Sequence, residues 1–204
     1  MLLGEPGSGK STQAGFLSEQ LNIPHISTGN IFRDAISENS ELGKLATSYI
    51  SVGNLVPDDV TIKLIKHRLS QPDCKNGFIL DGFPRTLDQA YALEKITDLD
   101  LVLHLTIKLE QVIDRMANRR VCSSCKSIYN LKIHNVQSCT KCSSELKARE
   151  DDTESIVRHR FEIANKTLGP IVEYYKAQGI LKNIEFKETV EEIKNQITEV
   201  VGKG

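Results

Sequence analysis

A glycine-rich run lies near the start of the chain and reads Gly4-Glu5-Pro6-Gly7-Ser8-Gly9-Lys10-Ser11. It matches the pattern G-x-x-x-x-G-K-[ST] in full. In this pattern the glycines let successive backbone N–H groups face inward, where they and the start of the following helix bind phosphate oxygens. The lysine reaches the outer phosphates, and the serine hydroxyl binds Mg²⁺. A chance match in such a chain has odds of about 1%, so a phosphate loop is favoured over a turn with an exposed lysine.

A second candidate for phosphate chemistry is Asp81, which closes the apolar run 78–80. A carboxylate at the end of a parallel strand beside a phosphate loop commonly holds Mg²⁺, directly or through water. The alternative is that Asp81 caps a helix or a turn. We predict that Asp81 and Ser11 hold magnesium through water.

Arginines are concentrated in one third of the chain. Guanidinium groups suit phosphate oxygens because the planar fork is always charged, and phosphoryl transfer depends on positioning and charge neutralisation. The alternative is a set of solvated ion pairs with the acidic residues of 145–154. Arg115 and Arg119 are predicted on one helix face, four residues apart. Six of the nine arginines lie between residues 115 and 160: Arg115, Arg119, Arg120, Arg149, Arg158 and Arg160.

Four of the five cysteines form two C-x-x-C pairs, Cys122 with Cys125 and Cys139 with Cys142, separated by thirteen residues. Two such pairs can surround one metal ion tetrahedrally, which suits a structural Zn²⁺ with no open position for catalysis. The alternatives are four thiols without a metal, two labile disulfides, or Fe²⁺ in place of zinc. Cys74 stands alone and is predicted to have no role in the site.

Apolar runs alternate with helical patterns along the chain. This alternation predicts an α/β fold with a parallel sheet covered on both faces. Segments 27–56 and 118–152 interrupt it: the first is helical and polar, and the second has too little apolar sequence to fold without a metal or a partner. The predicted strands are 2–3, 23–27, 78–80, 101–105 and 180–186, and the predicted helices are 10–21, 60–69, 87–96, 111–119, 156–175 and 190–201.

The composition sets limits on the class of protein. With 204 residues, 39% of them hydrophobic and 26% charged, the chain has the composition of one globular domain with inserts and is not a disordered protein. A net charge of −1 argues against a general polyanion binder. No apolar run approaches the roughly 20 residues that span a bilayer, and no signal peptide is recognised. We therefore expect a soluble cytoplasmic protein.

Several further motifs lead to a family. Together with the phosphate loop, they resemble the adenylate kinases of the bacterial long-lid type, which are nucleoside monophosphate kinases, and the resemblance runs nearly end to end. Its marks are Ser27-Thr28-Gly29-Asn30 with Arg33, Asp81-Gly82-Phe83-Pro84-Arg85 with Gln89, Arg119-Arg120-Val121, Arg149-Glu150-Asp151-Asp152, and Arg160.

The resemblance implies a fold and an activity. The fold would be that of a P-loop kinase, with a five-stranded parallel sheet flanked by helices. Segments 1–26, 57–117 and 153–204 would form the core, 27–56 a helical insert that binds the nucleoside monophosphate, and 118–152 a small zinc-bearing lid. The activity would be reversible, Mg²⁺-dependent transfer between ATP and AMP, giving two ADP. The family further implies a monomer, and from the residues themselves we expect neither a nucleic-acid partner nor a membrane partner.

The resemblance also implies roles for individual residues. Arg33 and Arg85 would hold the acceptor phosphate, Gln89 would contact the adenine edge, and Arg115 would stack on the donor base. The catalytic residues would be Lys10, Arg85, Arg119, Arg149 and Arg160. The ATP site would comprise Gly7, Ser8, Gly9, Lys10, Ser11, Thr12, Arg115, Arg119, Ile128 and Tyr129. The AMP site would comprise Thr28, Arg33, Asn54, Leu55, Val56, Gly82, Phe83, Pro84, Arg85, Gln89, Arg149 and Arg160.

Three alternatives compete with this interpretation: another acceptor, another donor, and another class of protein. The same chemistry could act on UMP or CMP, but Thr28 and the cysteine-bearing lid favour AMP. The donor could be ATP or GTP. A zinc-ribbon module that binds nucleic acid would need basic and aromatic residues around the cysteines. That region has Tyr129 as its one aromatic residue and is followed by Glu150-Asp151-Asp152, so we expect no nucleic-acid partner.

Overall fold

The computed structural model describes residues 1–185, 187 and 189–202. Five parallel strands form the main sheet. They are β1 (Leu2–Gly4), β2 (His25–Ser27), β3 (Ile79–Asp81), β4 (Val102–Leu105) and β8 (Leu181–Ile184). Their order in the sheet is β2-β3-β1-β4-β8. Each strand lies within a predicted run or one residue beyond it. The last predicted strand extends to Phe186, which lies outside the described residues.

Helices connect these strands, and most have bounds within two residues of the predicted ones. Two helices, α2 (Thr28–Ser37) and α3 (Glu41–Ile50), fill most of segment 27–56, which was predicted to be helical. The helices are α1 (Lys10–Leu21), α2 (Thr28–Ser37), α3 (Glu41–Ile50), α4 (Asp58–Leu69), α5 (Leu87–Glu94), α6 (Leu109–Ala117), α7 (Glu154–Ala177) and α8 (Val190–Val201), with a short 3-10 helix at Pro72–Cys74.

Both faces of the main sheet are covered, as the alternation of strands and helices predicts. Leu2 and Leu3 point to opposite faces because successive side chains alternate along a strand. Leu2 packs with Leu17 of α1 and Ile193 of α8. Leu3 packs on the other face, with Ile171 of α7. Burial on both sides holds β1 at the centre of the sheet, so the loop that follows it starts from a rigid position.

The prediction that Arg115 and Arg119 share a helix face is wrong. Helix α6 ends at Ala117, and Asn118 closes it with hydrogen bonds from its backbone N–H and its side chain to the carbonyl of Asp114. Arg119 then begins a strand and pairs with Asn130 across an antiparallel ladder. The partner of Arg119 in this ladder lies eleven positions away, which helical periodicity cannot detect.

Segment 118–152 contains three short antiparallel strands that the sequence did not predict. They are β5 (Arg119–Cys122), β6 (Ile128–Asn130) and β7 (Leu146–Lys147), in the order β6-β5-β7. Their buried core consists of Cys122, Tyr129 and Cys139. Such a core is too small to stabilise a fold by itself, which agrees with the predicted need for a metal or a partner.

None of the described helices combines the length and the apolar character that crossing a bilayer requires.

Helices α2 and α3 approach closely at Gly43, and this contact generates a stability prediction. A Cβ placed on Gly43 would lie 2.1 Å from the carbonyl oxygen of Ala35, whereas one placed on Gly15, in α1, has nothing within 4 Å. We expect Gly43→Ala to lower the free energy of unfolding by about 1–3 kcal/mol, because backbone atoms must move apart. Gly15→Ala should raise it by up to about 1 kcal/mol, since alanine favours the helix.

Urea unfolding followed by circular dichroism measures both changes, with Gly15→Ala as the matched control. A Gly43→Ala protein as stable as the wild type would contradict the close packing of the two helices.

Candidate active site

The phosphate loop connects β1 to α1. Gly7 and Gly9 have φ angles of 77° and 98°, in the left-handed region that glycine adopts without strain. Gly9 is the N-cap residue of α1 and has no side chain to bond the first turn. The free N–H groups of that turn are therefore available to an anion, and the helix dipole favours negative charge there.

Lys10 lies across this loop. Its Nζ donates to the carbonyl of Glu5 at 2.6 Å and to Ser8 Oγ at 3.3 Å. Burial lowers the pKa of Lys10 to about 8, although the charge of Asp81 opposes this change. The ammonium group is thus held over the loop with little water around it, where a phosphate would stabilise its charge.

Asp81 lies at the end of β3, next to the loop. Its Oδ2 accepts from Ser11 Oγ at 2.5 Å and lies 3.4 Å from His25 Nε2. Burial alone would raise the pKa of Asp81, but the contact with His25 and the charge of Lys10 outweigh burial and lower it. An ionised carboxylate beside a hydroxyl is an oxygen ligand set of the kind that Mg²⁺ takes, with waters filling the other positions. The side chains therefore fit the predicted magnesium site.

Three connected cavities surround the loop. The central cavity lies over the phosphate loop and is lined by six cationic side chains. It shares Arg33 and Arg85 with a second cavity beside α2 and α3, and it shares Lys10 and Arg119 with a third beside β5 and β6. We name the second the insert-side cavity and the third the lid-side cavity. The cationic residues of the central cavity are Lys10, Arg33, Arg85, Arg119, Arg149 and Arg160.

Nearly all of the residues predicted to bind ATP, AMP or magnesium line at least one of these cavities. Ser8 is the exception: it is buried, lines none of the three and contacts Lys10 instead. The insert-side cavity is lined by Thr28, Arg33, Asn54, Leu55, Val56, Gly82, Arg85, Gln89 and Arg160 among others. The lid-side cavity is lined by Gly7, Gly9, Lys10, Ser11, Thr12, Arg115, Arg119, Ile128 and Tyr129 among others. The central cavity adds Asp81, Phe83, Pro84 and Arg149.

The arginines crowd one another in the central cavity. Burial, followed by the charge of Arg160, lowers the pKa of Arg85 to about 10. Burial, followed by the charge of Arg119, lowers the pKa of Arg149 to about 9. Arg149 Nε is buried and has no hydrogen-bond partner among the described residues. These six half-buried cations repel one another, and a polyanion in the same space would relieve that repulsion.

Two carboxylates orient part of this cluster. Arg119 donates from Nε to Asp152 Oδ2 at 2.7 Å, and Arg160 donates from Nη1 to Asp151 Oδ2 at 2.7 Å. The sequence suggested no role for these two aspartates beyond the motif that contains them. They hold the guanidinium planes in place and leave the remaining N–H groups free to bind phosphate.

The turn after Asp81 shapes the insert-side cavity. Thr28 Oγ1 and Arg85 Nε both donate to the carbonyl of Gly82, each at 2.8 Å. Gly82 has a φ of 82°, and a Cβ there would lie 2.7 Å from Thr28 Oγ1. Glycine is therefore required for β3 to turn so closely against α2. Arg33 is held separately, by a bond from its Nη2 to Asn30 Oδ1 at 2.8 Å.

The four paired cysteines converge at the tip of the small sheet. Their Sγ atoms all lie within 4.8 Å of one another, with Cys122 and Cys142 at 3.4 Å and Cys125 and Cys139 at 3.5 Å. Sulfur atoms around a tetrahedral zinc are about 3.8 Å apart, because Zn–S bonds are about 2.3 Å long. The thiols are free, and the set fits a four-sulfur metal site.

Two residues of the site were missed by the sequence analysis. His25 was treated only as part of a strand, yet it faces Asp81. Asp58 begins α4 and accepts hydrogen bonds from Thr86 and Gln89. Neither belongs to a motif with a chemical role, and their partners are 28 or more residues away, so no local signal could have identified them.

Comparisons with known proteins agree with this geometry. The family model described as adenylate kinase matches residues 2–180. A protein named adenylate kinase from Clostridium botulinum (strain 657 / Type Ba4) is 44% identical over all of this chain and 98% of its own length. Those of Clostridium kluyveri (strain NBRC 12016) and Caldicellulosiruptor bescii are 43% and 41% identical, each over 99% of this chain and over 97% and 98% of their own lengths. Motifs, fold and comparisons agree, and the chain belongs to the adenylate kinase family.

Proposed function

We propose that this chain catalyses reversible, Mg²⁺-dependent transfer of a phosphoryl group from ATP to AMP, giving two ADP. The observation that carries the proposal is the row of three cavities, with the cations gathered in the middle one. Two nucleotides bound from opposite ends would bring their phosphates together over the loop. Family membership supports the same reaction.

The donor and the acceptor would occupy different ends of this row. ATP would bind in the lid-side cavity, with its base against Arg115 and its phosphates on residues 7–12. AMP would bind in the insert-side cavity, with Arg33 and Arg85 on its phosphate and Gln89 at its base. The proposed catalytic residues are those that line the central cavity: Lys10, Arg85, Arg119, Arg149 and Arg160.

The chemistry needs positioning more than proton transfer. The acceptor phosphate is itself the nucleophile and is largely ionised near neutral pH, so no general base is required. Arginines on both sides would hold the acceptor in line with the bond that breaks and would stabilise the charge that spreads over the moving phosphoryl group. Mg²⁺, held through water by Asp81 and Ser11, would supply further charge neutralisation on the donor phosphates.

Water must be kept from the transferring phosphoryl group, or ATP would be hydrolysed. Segment 118–152 is the proposed lid. It reaches the rest of the chain through Lys141, whose Nζ is 2.8 Å from Glu19 Oε1 on α1, and through Lys126, whose Nζ is 3.4 Å from Asp34 Oδ1 on α2. Lid contacts with both α1 and α2 would cover the phosphates from above.

The cysteine cluster would hold a structural Zn²⁺ in the lid, with Cys122, Cys125, Cys139 and Cys142 as ligands. The core would comprise 1–26, 57–117 and 153–204, and the insert 27–56. A monomer that acts in the cytoplasm remains a prediction.

The test of the reaction is ADP formation from Mg-ATP with AMP, UMP or CMP as the acceptor, beside a control without acceptor. We expect rapid turnover with AMP, little with the pyrimidine nucleotides, and little hydrolysis in the control. Turnover with UMP or CMP in preference to AMP would overturn the assigned acceptor. No transfer to any of the three by folded, metal-loaded protein would overturn the reaction itself.

The pKa of Lys10 generates a prediction about donor binding. A bound phosphate favours the charged lysine, so the pKa of Lys10 must be higher in the complex than its value of about 8 in the free protein. Affinity for Mg-ATP should therefore be greatest below pH 8 and fall above it, by up to about tenfold per pH unit. Titration calorimetry without acceptor, from about pH 7 to about pH 9.5, measures this dependence.

The matched control is Lys10→Arg, because arginine stays charged over this range. Its affinity should depend less on pH than that of the wild type. Equal pH dependence in the two proteins would rule out Lys10 as the group responsible.

The cysteine cluster generates a prediction about stability. Cys139→Ser, or treatment with a strong chelator, should release one metal ion per chain and lower the melting temperature by several degrees, since metal binding contributes to lid folding. Cys74→Ser is the control, because Cys74 lies in a different hydrophobic cluster, and its metal content should be unchanged. Elemental analysis with calorimetry measures both effects. A melting temperature unaffected by the chelator would contradict a structural metal.

A further inference from the structure

The side-chain amide of Gln89 is held by two fixed groups. The backbone N–H of Arg85 donates to Gln89 Oε1 at 2.7 Å, and Gln89 Nε2 donates to Asp58 Oδ1 at 2.7 Å. Asp58 is itself oriented by Thr86, whose Oγ1 donates to Asp58 Oδ2 at 2.6 Å. Gln89 is only 2% exposed, so water cannot readily replace either partner.

These two partners permit only one orientation of the amide. A backbone N–H can only donate, and an ionised carboxylate can only accept. Rotating the amide by 180° would place Nε2 against the N–H of Arg85 and Oε1 against the carboxylate of Asp58. Both hydrogen bonds would then be lost and replaced by repulsion. The positions of the oxygen and the nitrogen of Gln89 are thus set by the network around them.

This orientation determines what Gln89 can offer to a ligand. An amide has two N–H groups and an oxygen with two lone pairs, so one N–H and one lone pair remain after the two bonds above. Gln89 lines the insert-side cavity, in which Val56 and Thr28 also take part. A ligand in this cavity meets a donor and an acceptor side by side, in a fixed order.

The edges of the purine bases differ in this order. Adenine presents the acceptor N1 next to the donor N6 amine, whereas a 6-oxo purine presents the donor N1–H next to the acceptor O6. For a base held in one orientation by its phosphate, the two edges require opposite orientations of the amide. A glutamine that is free to rotate could serve either edge, but one that is held can serve only one.

We propose that Asp58 is a positioning residue that holds the amide of Gln89 in the orientation for 6-amino purines and thereby excludes 6-oxo purine monophosphates. This inference rests on the proposed function, since it requires the acceptor base to lie against Gln89. Asp58 contacts neither substrate nor phosphate in this account. It acts through Gln89 and, because Thr86 is the N-cap of α5, through the start of that helix.

The probe is IMP, which differs from AMP in its ring only at the 6-amino edge. With Mg-ATP as donor, kcat and KM are measured for AMP and for IMP, in the wild type and in Asp58→Ala. We expect Asp58→Ala to lower the ratio of kcat/KM for AMP to that for IMP by about tenfold, the cost of one buried polar mismatch. The change should lie in KM, with kcat for saturating AMP altered far less.

Asp59→Ala is the matched control. Asp59 is the next residue and is also acidic and in the first turn of α4, but it is exposed and pairs only with Lys63 at 3.8 Å among its described contacts. Each variant removes one negative charge from the same helix start, so the loss of favourable interaction with the helix dipole is matched. The ratio for Asp59→Ala should equal that of the wild type.

The ratio separates positioning from a loss of folded protein, because misfolding lowers activity with both acceptors equally. If Asp58→Ala does not fold, Asp58→Asn keeps the shape of the side chain, and its amide can donate as well as accept. That variant should lower the ratio in the same direction. A wild-type ratio in a folded Asp58 variant, with AMP still phosphorylated, overturns the role of Asp58 alone. A wild-type protein that does not phosphorylate AMP overturns the proposed function and this inference together.

Discussion

The repulsion among half-buried cations is the constraint on which the rest of the structure depends. Six of them line one cavity, and burial and mutual repulsion depress the pKa values of Arg85 and Arg149. Such a cluster costs folding free energy, and the surrounding fold must hold it in place. Asp151 and Asp152 do so for two arginines, and the phosphate loop does so for Lys10. Phosphates that entered the cavity would relieve this repulsion, so that binding would at the same time neutralise the charge of the cluster.

The parallel sheet is what allows one cavity to gather residues from distant parts of the chain. Strands β1, β2 and β3 lie side by side and end at Gly4, Ser27 and Asp81, at the same edge of the sheet. The phosphate loop, helix α2 and the turn at Gly82 therefore all start at this edge. Packing on both faces of β1 holds this edge in place.

Much of the fold and site could be predicted because its signals are local. The bounds of the main-sheet strands and of most helices follow from periodicity, and the phosphate loop and the cysteine pairs follow from spacing. The features that were missed depend on contacts between distant segments: Arg119 leaves its helix to pair with β6, and His25 meets Asp81 only because β2 lies beside β3. Asp58 likewise reaches Gln89 across 31 residues. No local pattern contains these partners.

The contrast between local signals and distant contacts also applies to the site: phosphate binding depends on the presence of charged residues, whereas selection of a base depends on the contacts around one side chain. Charge acts over several ångströms and in all directions, so arginines brought roughly to the right place can bind and stabilise phosphates. Selection between two bases of the same shape depends instead on which atom of an amide faces the ligand. That choice is made by the surrounding hydrogen bonds and not by the glutamine itself. Under the proposal above, a glutamine at position 89 would therefore not specify adenine by itself; it would do so only with an obligate donor at Arg85 N and an obligate acceptor at Asp58.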